Sequence, residues 1–102
     1  LPLPNGQVGT KHDGTTPEST AEQAEVVFDR VKAVLAAARM GLSDIVRLTV
    51  FLTDQNDVPI FVKARDHVMG RHKPGAIILV VKGLARPELK IEIEAIAAKV
   101  DG

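Results

Sequence analysis

Three observations on the 102-residue chain predict an α+β fold with two helices packed on one face of a sheet. Apolar residues recur at three- and four-residue intervals from Ala24 to Ala38, which is helical spacing. Residues 45–53 and 77–81 are rich in β-branched and apolar side chains, as strands are. Residues 89–97 alternate apolar with polar and then turn small and apolar, the pattern of a further strand.

Residues 4–18 hold three glycines and two prolines and read as a loop with tight turns, the clearest at Asp13 and Gly14. Thr20 and Gln23 match a capping box, so a helix is expected to begin there. Its stripe of Ala24, Val27, Phe28, Val31, Val34, Leu35 and Ala38 lies opposite Glu22, Glu25, Asp29, Arg30 and Lys32. The helix is expected to stop near Met40, with Gly41 taking the left-handed conformation that ends it.

The strand at 45–53 closes on the polar run Asp54 to Asp57. Asp57 is then a candidate cap for a second helix, with Pro59 in its first turn and Ile60, Phe61, Ala64, His67 and Val68 on its inner side. Gly70 and Pro74 bracket its exit. The strands at 77–81 and 89–97 are separated by a short connection, so they are expected to be antiparallel neighbours. No helix remains to cover the other sheet face, which predicts burial against further copies of the chain.

The length suits one domain over residues 1–102, since domains commonly run about 100 to 150 residues. Thirteen basic and thirteen acidic side chains cancel, so nothing in the charge favours a phosphate backbone, and nucleic acid is not an expected partner. The absence of cysteine excludes disulfides, thiolate catalysis and cysteine-ligated metal. His12, His67 and His72 lack a metal-binding spacing, so no metal site is expected. The longest apolar run is far shorter than a membrane span, and no basic leader with an apolar stretch is visible, so no membrane partner and a cytoplasmic location are expected.

Three segments in order resemble the reactive-intermediate-deaminase (Rid, or YjgF-like) family, also called the endoribonuclease L-PSP family. They are Asn-Gly-Gln-Val-Gly at 5–9, Leu-Ser-Asp-Ile-Val-Arg-Leu-Thr-Val-Phe-Leu-Thr-Asp at 42–54, and Gly-Leu-Ala-Arg-Pro-Glu-Leu-Lys-Ile-Glu-Ile-Glu-Ala-Ile-Ala at 83–97. The last is the most specific. The resemblance implies a chorismate-mutase-like homotrimer with clefts between subunits, where reactive imines or enamines of amino-acid origin are hydrolysed to ketones and ammonia. It implies no cofactor, and a small imine, enamine or carboxylate as ligand.

The resemblance places the water-positioning glutamate on Glu92, and a substrate-contacting backbone amide at Asn5 and Gly6. The family's carboxylate-gripping arginine falls on Ala76, which has no charge to offer, and Arg71 is the candidate substitute because its planar fork suits a carboxylate. The family's first strand, with its cleft tyrosine, has no counterpart ahead of Leu1. On residue pattern alone, Glu92 and Glu94 lie two apart on a strand and read as its solvated side; the resemblance is what sets Glu92 in a cleft. Three readings follow: an imine or enamine hydrolase with altered substrate choice, a non-catalytic trimer that binds small metabolites, and an endoribonuclease. Neutral charge and an aromatic set of three phenylalanines oppose the last.

Overall fold

The structure, a computed structural model, describes residues 6–99. Its elements run β1 (Gln7–Val8), α1 (Thr20–Ala37), β2 (Ile45–Leu52), α2 (Val58–Met69), β3 (Gly75–Val80) and β4 (Ile91–Ala97). The expected α+β class is what the chain adopts: two helices pack on one face of a mixed four-stranded sheet of order β1-β4-β2-β3.

Helix α1 begins where expected, but its cap is displaced by one residue. Ser19 Oγ accepts the amide of Glu22 at 3.1 Å, while Thr20 and Gln23 are buried. Gln23 is fully buried because its amide bridges three backbone groups. Its Nε2 donates to the carbonyls of Pro17 at 2.8 Å and Glu88 at 2.9 Å, and its Oε1 accepts the amide of Lys90 at 2.8 Å.

The helix ends at Ala37, and Arg39 rather than Gly41 takes the left-handed conformation, with φ 61°. The amides of Arg39 and Met40 turn back to the carbonyls of Ala36 and Leu35, so the end closes as a Schellman motif with a side chain where glycine is cheapest. Gly41, at φ −131°, is ordinary extended backbone. Arg39→Gly is therefore expected to raise stability by about 1 kcal/mol, read from urea unfolding midpoints.

Phe28 of α1 stacks on Phe61 of α2 with centroids 6.3 Å apart, joining the helices over the sheet. Phe61 and Met69 are the buried side chains of α2, whereas His67, expected on the inner side, is exposed. Asp57 makes no side-chain cap to α2; its carboxylate instead accepts the Thr20 hydroxyl at 2.6 Å.

The expected pairing of the last two strands is overturned. β3 pairs with β2 in parallel, and β4 pairs with β2 on its other side, antiparallel. β2 takes the centre because it supplies a full buried row, Ile45, Leu48, Val50 and Leu52, to the helices. The segment after β3 is long enough to carry the chain past the end of β2. Both flanks are tied there: the amide of Val81 donates to Leu52 at 2.8 Å and that of Thr53 to Lys90 at 3.3 Å.

Strand alternation gives β4 the same two-sidedness. Ile91, Ile93, Ala95 and Ala97 are buried under the helices, and Glu92, Glu94 and Ile96 project from the far side. That far side carries no helix among the described residues. Ile77, Leu79 and Ile96 stand 40%, 44% and 38% exposed on it.

Candidate functional site

The register of the ladders defines the open face row by row. Val8, Glu92 and Phe51 are directly opposite one another on β1, β4 and β2, and Leu79 on β3 continues the row. The next row is Glu94, Thr49 and Ile77, and the third is Ile96, Arg47 and Gly75. An otherwise apolar surface thus carries two carboxylates, one hydroxyl and one guanidinium.

Glu92 meets the loop before β1 at Gly6. A Cβ on Gly6 would stand 2.9 Å from Glu92 Cδ, closer than real side chains approach, so the glycine makes room for the carboxyl group. The close approach lays Glu92 beside bare backbone, where amide and carboxylate can act on one small molecule. Burial, and after it the charge of Glu94, pushes the Glu92 carboxyl above the usual carboxylate range. A raised carboxyl exchanges protons closer to neutral pH, as general acid-base work requires.

Gly6→Ala tests this packing. The obstructing group is the far end of a flexible side chain, so the fold is expected to survive with stability changed by less than about 1 kcal/mol while the carboxyl is displaced. Loss of the raised Glu92 titration, followed by carboxyl-carbon NMR, is the expected readout.

Ala76 and Arg71 are not gathered around Glu92 within one chain. Asn5 lies outside the described residues. Ala76 is opposite Leu48, so it projects to the helix side of the sheet, and it is exposed at the β3 edge. From Glu92 it is displaced by three residues along the strands, about 10 Å, and by two strand spacings, about 10 Å. Arg71, exposed in the turn after α2, precedes β3 and lies beyond Ala76 from Glu92.

A cation that sequence reasoning passed over does share the face with Glu92. The Arg47 side chain is exposed and makes no hydrogen bond or ion pair among the described residues. Its place was readable from strand alternation, since Arg47, Thr49 and Phe51 are the polar-side set of a strand whose Leu48, Val50 and Leu52 are buried.

The groove where the N-termini of α1 and α2 meet, lined by Thr20, Asp57 and Lys90, is a competing hollow of about 460 Å³. Its polar groups already satisfy one another: Thr20 donates to Asp57, and the Lys90 ammonium donates to the carbonyl of Glu18. Among the described residues there is no cluster of three metal-ligating side chains. No helix among them is long and apolar enough to cross a membrane.

Two helices over one face of this mixed sheet, with a glutamate of the last strand leaning over a glycine, define a recognisable class. The family model described as Endoribonuclease L-PSP matches residues 4–99, and the chain belongs to that family. Among curated relatives, the RutC family protein of Pyrococcus horikoshii is 37% identical over 78 residues, which are 76% of this chain and 61% of that protein. The 2-iminobutanoate/2-iminopropanoate deaminase of Escherichia coli is 36% identical over 84% of this chain and 69% of its own length. The chain thus spans somewhat under or just over two thirds of these relatives. Among solved structures, the YjgF gene product of E. coli superposes with a TM-score of 0.88 at 34% identity, covering 94% of this chain and 78% of that one. E. coli TdcF with bound serine gives 0.89 at 31% identity, with the same coverage.

Proposed function

We propose that this protein hydrolyses small reactive imines or enamines derived from amino acids, releasing a ketone and ammonia. The observation that carries the reading is the approach of Gly6 to Glu92, which leaves a half-buried carboxylate with a raised proton affinity beside open backbone. Water adds to the carbon of the protonated imine while Glu92 takes a proton from it; Glu92 then hands that proton to the nitrogen of the carbinolamine and takes the hydroxyl proton as the C–N bond breaks, giving C=O and free ammonia. The Gly6 backbone orients the substrate. Family membership and the deaminase name of the E. coli relative support the same chemistry.

The proposed assembly is a homotrimer whose subunits cover one another's open faces. Phe51, Ile77, Leu79 and Ile96 supply the apolar area, and covering it excludes water from the neighbourhood of Glu92. Ala76 and Glu92 project to opposite sides of one sheet, so a cleft using both positions draws them from different copies.

Ala76 also favours a second reading, a trimer that binds small metabolites without turning them over, because no guanidinium stands at that position to grip a carboxylate. An RNA substrate finds little support: the charge is balanced, and Phe28 and Phe61 are buried between helix and sheet.

Ammonia release from a panel of freshly generated amino-acid imines separates the readings, with wild type and Ala76→Arg assayed side by side. Wild-type turnover above the buffer blank is the expected result. Turnover in Ala76→Arg alone would replace the hydrolase reading with the binding one.

A further inference from the structure

Arg47 is the sole cation projecting from the open face among the described residues, and the face is electrically lopsided because of it. The two acids, Glu92 and Glu94, belong to β4, on the side of Gly6 and β1. Arg47 belongs to β2 beside Gly75, where a Cβ would meet nothing within 4 Å, so the guanidinium has open space on the β3 side. Glu94 and Arg47 sit in adjacent rows, yet no ion pair within 4.0 Å joins them, and neither has another side-chain partner among the described residues.

Covering the apolar side chains of this face would strip water from Arg47 as well. An isolated guanidinium cannot be desolvated without a heavy cost, so a stable covered state must supply it with an acid. Glu92 is drawn over Gly6, which leaves Glu94 as the exposed carboxylate. A head-to-tail contact, in which the acidic side of one face meets the basic side of the next, satisfies both charges and closes a ring wherever the rotation between copies allows.

We propose that Arg47 of one copy pairs with Glu94 of the neighbouring copy and sets the register in which the open faces associate. This rests on the self-association put forward above and adds the contact that directs it.

Charge reversal of the full chain tests it by sedimentation velocity over a concentration series, with circular dichroism confirming that each variant folds. Arg47→Glu and Glu94→Arg are each expected to weaken association roughly tenfold to a hundredfold. Mixing the two single variants is expected to restore it in part, because contacts between unlike copies then join opposite charges while a ring of three keeps one contact between like copies. The double variant Arg47→Glu/Glu94→Arg is also expected to associate. Single variants that assemble like wild type would overturn the pairing while leaving self-association standing. Rescue by the double variant with no gain at all on mixing would overturn it in favour of a pair within one chain. A wild-type protein that stays monomeric at tens of micromolar would remove the self-association reading itself, and this proposal with it.

Discussion

Glu92→Gln is expected to lower kcat/KM for imine hydrolysis by roughly 100- to 10,000-fold, the range that a positioned general base contributes. The glutamine keeps the size and one acceptor of the glutamate, so it still fits over Gly6 but cannot take a proton from water. The loss is expected in kcat with KM little changed, since substrate orientation rests on backbone. Wild-type activity is expected to fall as pH drops through the raised pKa of Glu92, leaving an acid limb above the ordinary carboxylate range that the variant lacks.

The same substitution has a stability signature of definite sign. Burial and Glu94 raise the folded-state pKa above its unfolded value, so the folded state holds more proton in the window just above the usual carboxylate range. Stability from this group therefore declines as pH rises through that window, and the charged carboxylate is a burden at neutral pH. Glu92→Gln is expected to raise Tm at pH 7 and to change it little near pH 4. Lower activity with higher stability distinguishes a functional carboxylate from a structural one.

Gln23→Ala is expected to be the most damaging exchange of a single polar side chain for the fold, costing about 3 to 5 kcal/mol. The amide joins the segment before α1, the segment before β4 and the helix itself, and its loss leaves two carbonyls and one amide without their partner in a buried place. Gly9 belongs to the same arrangement, because a Cβ there would come within 2.9 Å of the Gln23 backbone. A Tm lower by about 15 °C or more in calorimetry is the expected result. Gln23→Glu keeps the shape but cannot donate to the two carbonyls, and it is expected to be nearly as harmful.

The role of Gln23 also shows where the sequence stopped being legible. A buried glutamine and a capping glutamine look alike in a string where Ser19, Thr20, Glu22 and Gln23 all suit a helix start; only the loops that fold back onto α1 choose between them. The helices and strands were readable because each rests on a local period. The neighbour relation of β3 and β4 was not, since it depends on β2 gaining partners on both edges, a competition between distant segments. Likewise the resemblance pointed to Glu92 and Gly6, and strand parity could have added Arg47, but the separation of Ala76 from Glu92 needed the register of three strands.

Ligands of this protein are expected to meet the open sheet face at Gly6 and Glu92, not the groove between the helix N-termini. Amide NMR during titration with a small 2-oxo acid, the product class of the proposed reaction, tests it most directly. Saturable shifts are expected at Gly6, Gln7 and Glu92, abolished in Gly6→Ala. Shifts confined to Ser19, Thr20, Asp57 and Lys90, with Gly6 and Glu92 unmoved, would contradict it.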